Sequence, residues 1–470
     1  MARRRDDLPA SPSKSGVVVE KLEATIASGA LKPGSKLPSI RRAAVQFGVS
    51  KNTVIDAYDR LVATGQVVAR QGSGFQVLRR TAQPAGATPK HVAEAVDIAS
   101  LLTAQLEESF SIRVGDGRPP ASWMEESEVR RHLGAYGRYR QGDDSGYGSA
   151  MGFQGLRERL AHRFAEREIR ATPDQILLTF GANHALDLIV RRFVAPGDTV
   201  LVDDPGYYPL FAKLKLTQAR IVGVKRLATG PDPDDLALKA ADGQAKLFFT
   251  QSLAHNPTGG SISLPTAHAV LSIAVRHGLL IVEDDPFVDL PTVGSFRMTS
   301  LDQLNNLISI GTFSKTLSAS LRCGFIAARP DIVASLAELK MLTTVNSSGH
   351  VEQLVFNLIN DGHYLRHLKR LGNRIRTATD KVVANLDRRG FKPFAEPSGG
   401  YYVYMMLPMG IDDIQLAKDA GREGIFIAPG SVFNVEKRAG PAYIRVNIAR
   451  ADDNRFYEFL SRYADERGAK

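Results

Sequence analysis

Residues 307–322 read LISIGTFSKTLSASLR. The first five, Leu307–Gly311, form an apolar run of the length of one buried strand. The chain then turns to small and hydroxylic residues around a single lysine, Lys315, with Arg322 seven positions later. A lysine just past a buried strand sits at the carboxyl end of that strand, where α/β sheets place their ligands. The same pattern recurs outward from here. Further candidate strands are Ile176–Phe180, Thr199–Asp203, Lys246–Gln251, Leu279–Glu283 and Cys323–Ala328, and helical patterns such as Leu264–His277 lie between several of them. This alternation predicts an α/β domain: a mostly parallel sheet with helices on both faces, plus a small α+β C-terminal part over about 385–470.

Polar residues cluster at the predicted strand ends. Gly181-Ala182-Asn183 lies between a strand and a helix read as Ala185–Phe193, so its backbone amides open a helix. Such amides are a ready anion site. Tyr207 follows Asp204-Pro205-Gly206, Asn256 opens Asn-Pro-Thr-Gly, and Asp284 ends Leu-Leu-Ile-Val-Glu. Each piece alone has an ordinary structural explanation, and their order and spacing carry the joint reading. Pyridoxal phosphate needs an amine for its aldehyde, a carboxylate on its pyridine nitrogen, amides and a cation for its phosphate, and an aromatic face for its ring. Lys315, Asp284, Gly181–Asn183 with Arg322, and Tyr207 offer these in turn.

The first eighty residues have a different character. Val18, Leu22 and Ile26 recur at helical spacing. Ser39 is placed to cap a helix that runs through Phe47 and ends at Gly48. Ser50 is placed to cap the next helix, with Val49 stapling to Val54 and an apolar face of Val54, Ala57, Tyr58 and Leu61. Gln66–Arg70 and Phe75–Leu78 read as two strands around Gln71-Gly-Ser-Gly74. Two short helices joined by a glycine turn and followed by a hairpin predict a winged helix-turn-helix over residues 1–78. The polar start of its second helix, Ser50, Lys51, Asn52 and Thr53, would face the major groove, with Arg41 and Arg70 on the backbone.

Charge supports that division. The chain of 470 residues carries a net +10, and residues 1–90 hold 15 Lys/Arg against 6 Asp/Glu, leaving the other 380 residues at net +1. A basic module on a near-neutral body suits a phosphate backbone, so double-stranded DNA is the expected partner. Residues 79–95, proline- and alanine-rich without apolar periodicity, read as a flexible linker whose end falls between 95 and about 118. The single cysteine, Cys323, excludes an internal disulfide framework. No apolar run reaches the ~20 residues of a membrane span, and the N-terminus lacks the apolar stretch of a signal peptide. A cytoplasmic location is expected.

Residues 16–78 resemble the DNA-binding domain of the GntR regulators, matching its LPS-x-R, VS-x-x-TV, AY-x-x-L and GSG-wing pattern. Residues 140–450 resemble fold-type I aminotransferases, and the whole chain resembles the MocR/GabR-type branch of GntR regulators. The resemblance implies Lys315 as the Schiff-base lysine, Asp284 on the pyridine nitrogen, Asn256 on the ring hydroxyl and Tyr207 stacked on the ring. It implies Ala182, Asn183, Thr312, Ser314 and Arg322 at the phosphate, joined by Tyr147 from the partner subunit. Arg445, in YIRVNIAR, would grip a ligand carboxylate. Many family members have arginine at Lys51, so base preference does not carry over. Asn183 replaces a glutamine common in the branch. Phe287 stands where many aminotransferases have a tyrosine bonding the ring oxygen, a loss of about 0.5–1.5 kcal/mol.

These expectations converge on a homodimeric, pyridoxal-phosphate-dependent transcription regulator, with domain exchange as one possible arrangement of the dimer. It would sense a primary amine, an amino acid or similar anion, through aldimine exchange at Lys315. Two alternatives stand beside it: a working aminotransferase with an accessory DNA-binding domain, and a DNA-binding protein whose large domain only dimerises or reports the cofactor itself. No metal site is expected.

Overall fold

The computed structural model describes residues 14–27, 30–64, 66–70, 74–78, 110–136, 146–294, 296–436 and 440–466. The chain divides into two units, residues 1–88 and 89–470.

The first unit holds helices α1 (Lys14–Ala27), α2 (Ile40–Phe47) and α3 (Lys51–Ala63), then an antiparallel hairpin of β1 (Val67–Arg70) and β2 (Gly74–Val77). Local signals set its boundaries. The Ser39 side chain accepts from the Arg42 amide, and Gly48 closes α2 at φ 65°, a conformation open to glycine at little cost. Ser50 Oγ accepts from the Thr53 amide at 3.1 Å, while Val49 and Val54 both join the core, as a staple requires. Val18, Leu22, Ala57, Tyr58 and Leu61 fill that core. Tyr58 is buried with its hydroxyl donating to the Pro38 carbonyl at 2.8 Å and its ring edge-on to Phe75, which ties α3 to the turn before α2 and to the wing. The wing tip, residues 71–73, lies outside the described residues.

In the second unit the main sheet has eight strands: β3 (Ile176–Thr179), β4 (Thr199–Asp204), β5 (Arg220–Leu227), β6 (Gly230–Pro231), β7 (Ala245–Thr250), β8 (Leu280–Asp284), β9 (Leu307–Thr312) and β10 (Gly324–Ala327). Their order is β3-β10-β9-β8-β7-β4-β5-β6. Strands β5, β4, β7, β8 and β9 run parallel, and β10 is antiparallel to both its neighbours. Side chains alternate between two covered faces: Val200, Val202 and Ile308 pack on one, Leu201, Phe248 and Leu307 on the other. Two covered faces explain the unbroken apolar runs of the sequence. The fold is α/β, as expected. Two strands of this sheet went unsuggested by the sequence: the two-residue β6, and β5, which carries Arg220, Lys225 and Arg226 that break its apolar pattern. A second, antiparallel sheet follows, ordered β11 (Lys392–Pro393), β12 (Tyr402–Met406), β14 (Tyr443–Asn447), β13 (Ala428–Pro429). It forms the expected α+β part together with the helices Asp413–Arg422 and Asn454–Glu466.

One boundary needs correction. Residues 110–118, the outer reach given to the linker, are packed into this unit. The Ile112 amide donates to Gly424 O at 3.1 Å, the Gly115 amide donates to Phe426 O at 2.8 Å, and Val114 and Asp116 are fully buried. Turn-rich composition around Gly115 and Gly117 hid a segment held through its backbone. Residues 79–109 lie outside the described set. Among the described residues, no helix is long and apolar enough to cross a membrane.

Candidate functional site

Adjacent strands bring several candidate residues of the large unit together. Asp284 closes β8 and Thr312 closes β9, its parallel neighbour, with Lys315 three residues further on. Lys315 Nζ donates to Gly117 O at 2.6 Å, and the Tyr402 hydroxyl donates to the same oxygen at 2.8 Å. The Tyr401 hydroxyl holds the Lys315 carbonyl at 2.7 Å. Asp284 is buried. Gln251 Nε2 lies 3.5 Å from its Oδ2, and its Oδ1 has no hydrogen-bond partner among the described residues. Burial raises its carboxyl from 3.8 to about 6, against the opposing pull of Gln251 and the Lys315 charge. Burial also raises the Tyr207 phenol, with the nearby Asp284 charge adding to it.

Asn256 and Arg445 meet across 189 positions: Arg445 Nη1 donates to Asn256 Oδ1 at 2.9 Å. The Asn256 amide donates to Gln251 Oε1 at 2.7 Å, which links this pair back to Asp284. Arg445 is buried, its Nη2 on Gly115 O at 2.7 Å and its guanidinium 4.6 Å from the centre of the Tyr402 ring. Phe287 is fully buried and packs edge-on against Tyr401 and Tyr402, bringing no hydroxyl to the site.

A cup lies at the end of β3. The helix here is α4 (Ala182–Phe193), starting three residues earlier than its sequence pattern suggested, so Ala182 and Asn183 stand in its first turn. The amides of Ala182 and Asn183 precede any intrahelical acceptor, and the cap residue Gly181, at φ 77°, supplies no side chain to take them. A Cβ on Gly181 would lie 3.2 Å from Arg322 Nη2, which itself donates to Phe180 O at 2.8 Å. Thr312 Oγ1 accepts from the Ser314 amide at 3.2 Å and donates to Cys323 O at 3.2 Å. Tyr147 is 77% exposed and lines a separate open cleft with Asn346 and Ser348, in which none of the other candidate residues takes part.

Sequence reading missed the support beneath this site. Arg226 Nη1 pairs with Asp203 Oδ2 at 2.7 Å, His255 Nε2 lies 3.4 Å from the same oxygen, and Arg226 Nη2 donates to Gln251 O at 2.8 Å. Burial alone would raise the Asp203 carboxyl, yet Arg226 and the His255 hydrogen bond hold it below its usual range. Burial and the Arg226 charge lower His255 to about 4. Asp203 stood in view beside the Asp-Pro-Gly-Tyr turn, but Arg226 lies on the unforeseen β5. The Gly115–Gly117 carbonyls belong to the segment taken for linker.

In the N-terminal unit, Arg41, Ser50, Lys51 and Asn52 are exposed and Thr53 is half-buried. Ser50 Oγ is engaged in the cap and lies 2.8 Å from Thr53 Oγ1, so Lys51 and Asn52 are the more available side chains of that turn. Arg70 ends β1.

Residues 111–462 match the family described as aminotransferase class I and II, and residues 14–77 match bacterial regulatory proteins of the gntR family. The chain is similar to the probable rhizopine catabolism regulatory protein MocR of Rhizobium meliloti, at 28% identity over 87% of this chain and 85% of that one. It is similar to the HTH-type transcriptional regulator NorG of Staphylococcus aureus, at 25% identity over 88% and 95%. Among solved structures it resembles the alpha-aminoadipate aminotransferase LysN from Thermus thermophilus, complexed with N-(5'-phosphopyridoxyl)-L-leucine. That match has a TM-score of 0.69 and 26% identity, covering 80% of this chain and 95% of the other.

Proposed function

The chain belongs to the aminotransferase class I and II family and carries a GntR-family DNA-binding module ahead of it, and from that premise we propose a transcription regulator that senses a primary amine at Lys315. The observation that carries the reading is Asp284 Oδ1, a buried carboxylate oxygen without a partner among the described residues, one strand away from the Lys315 loop. A buried acceptor of this kind is costly unless something donates to it. A protonated pyridine nitrogen is such a donor, and the uncapped amides of α4 beside Arg322 suit a phosphate. The residues present therefore fit pyridoxal phosphate, the cofactor of this fold.

Bound there, the cofactor supplies an aldehyde that combines reversibly with amines and a ring that draws electrons from them. Lys315 presents its Nζ at that aldehyde. Asp284 would keep the ring nitrogen protonated, and its burial would make that ion pair strong. Tyr207 would lie along the ring, Asn256 would bond its hydroxyl, and Thr312, Ser314, Ala182, Asn183 and Arg322 would hold its phosphate. Lys315 Nζ, already on the Gly117 carbonyl, would be the group to hold a proton there while a ligand amine is bound. Arg445, backed by Asn256, then receives an anionic group on the ligand, which restricts the effector to amines such as amino acids. Lys51 and Asn52, with Arg41, meet the DNA.

The functional unit is a homodimer in which Tyr147 serves the partner's phosphate. The apolar residues Met341, Leu342 and Val345 are exposed in the segment that runs into Asn346, a residue lining the Tyr147 cleft, and suit a subunit face. The similarity to MocR and NorG supports regulation as the role.

A second reading, an active aminotransferase, is favoured by the intact Asn256–Arg445 pair and by the likeness to LysN. Phe287 weighs against it. Borohydride trapping tests the site: wild type retains a covalent cofactor adduct and Lys315→Ala does not. An adduct surviving on another lysine would refute the assignment. Steady keto-acid formation from an amino acid would instead favour the enzyme.

A further inference from the structure

Lys340 lies on α5 (Pro330–Thr344) and is completely buried. Its ammonium donates to Ala150 O at 2.7 Å, Leu178 O at 2.8 Å and Ser347 Oγ at 2.8 Å. An ammonium has three protons, and here each has an acceptor on a different segment. Leu178 belongs to β3, which leads directly into Gly181 and the first turn of α4. Ala150 follows Tyr147 in the loop 146–153. Ser347 lies just beyond α5, and its hydroxyl donates to Glu352 Oε1 on α6 (Gly349–Asn360).

Glu352 closes the circuit. Its Oε2 accepts from the Phe153 amide at 2.7 Å, so the loop is held at Ala150 by Lys340 and at Phe153 by Glu352. Between those anchors the Leu178 amide donates to Met151 O at 3.0 Å, and Gly152, at φ 92°, lies so close to Leu178 that a Cβ would approach its Cβ to 2.6 Å. The loop is thus fixed to β3 while Tyr147, at its far end, stays exposed. Burial lowers Lys340 to about 8, with Glu352 pulling the other way and Cys323 and His184 also within electrostatic reach. A buried charge is costly, and an apolar side chain would fill the same space without naming three acceptors.

We infer that Lys340 is a positioning residue that locks the Tyr147 loop to the phosphate cup of its own chain, so that the site a chain keeps and the loop it lends to a second copy move together. The inference rests on the reading that Tyr147 serves the partner's cofactor.

The test uses the full chain with pyridoxal phosphate as probe. Lys340→Met should weaken cofactor binding roughly tenfold and speed hydrogen exchange at amides 148–153. Tyr147→Phe should weaken binding too, and the double variant should be no worse than the poorer single one, because an unlocked loop no longer delivers the phenol. Additive losses overturn the proposal. Should Lys340→Met fold poorly, Ser347→Ala removes one of its three acceptors together with the Ser347–Glu352 bond, and about a threefold loss with the same exchange signature is expected. Unchanged exchange in both variants also overturns it. If Tyr147→Phe alone leaves cofactor affinity intact, the lent-loop reading falls, and the exchange rates by themselves decide whether Lys340 is the lock.

Discussion

Lys51 and Asn52 stand exposed on one turn of α3, whereas Asp284, Asn256 and Arg445 are each less than a tenth exposed, and the last two meet across 189 positions. The two regions work under different physics. A surface turn on a short helix makes contacts that water and salt weaken, so each side chain contributes little and the sum gives binding. A buried set is desolvated, so each polar group must be matched and each loss is felt strongly. Substitutions should therefore have small, salt-dependent effects in the first region and large, specific ones in the second.

Separating the regions is the harshest test. A chain lacking residues 1–80 should bind pyridoxal phosphate as the full protein does and show no shift of operator DNA in a gel. Specific binding retained by that fragment would erase the contrast.

Within the large unit, Asp284→Ala should lower cofactor affinity by about 1.5–3 kcal/mol, roughly ten- to hundredfold, by titration. Unchanged affinity would remove Asp284 from the site. The same residue predicts an opposite effect on stability without cofactor. Its carboxyl rises from 3.8 to about 6, so the folded chain binds more protons than the unfolded one in that window. Stability of the cofactor-free chain then falls as pH rises through it, by roughly 3 kcal/mol at pH 7. Asp284→Asn should melt higher than wild type at pH 7 and nearly level with it at pH 4. Equal melting at both would show that the charge is already compensated.

Arg445→Leu should cost about 1.5 kcal/mol or more in the response to amines bearing a carboxylate and leave the response to simple amines nearly intact, read from the visible absorbance of the cofactor. Equal losses for both ligand types would make Arg445 structural.

The same contrast explains what could be read in the sequence. The first unit was legible almost to the residue because its signals are local: Ser39, Gly48, Ser50 and the Val49–Val54 staple act within one turn of where they lie. The parallel strands were legible because two covered faces require unbroken apolar runs. Strand β5 was not, since its charges serve partners elsewhere, above all Arg226 on Asp203. The segment 110–118 looked like linker because its role lies in backbone carbonyls, which leave no trace in side-chain pattern. Lys340 was one lysine among many until three acceptors were seen around it. The individual site residues were each ambiguous, and only their order along the sheet made them a set.

The smallest effect is expected at the DNA surface. Lys51→Ala should weaken binding similarly across sequences and reduce the slope of log affinity against log salt by about one. A change confined to one base position would mean that Lys51 reads bases and not phosphate.

A regulator that senses an amine at Lys315 must let that amine alter how its two DNA-binding modules act together, which requires the ligand to favour one arrangement of the dimer over another. The direct measurement is operator affinity with and without an effective amine, on DNA carrying two half-sites and on DNA carrying one. The account predicts a change in affinity or bend on the two-site DNA, little change on the single site, and no change on either with Lys315→Ala. An equal effect of the amine on one-site and two-site DNA would contradict it.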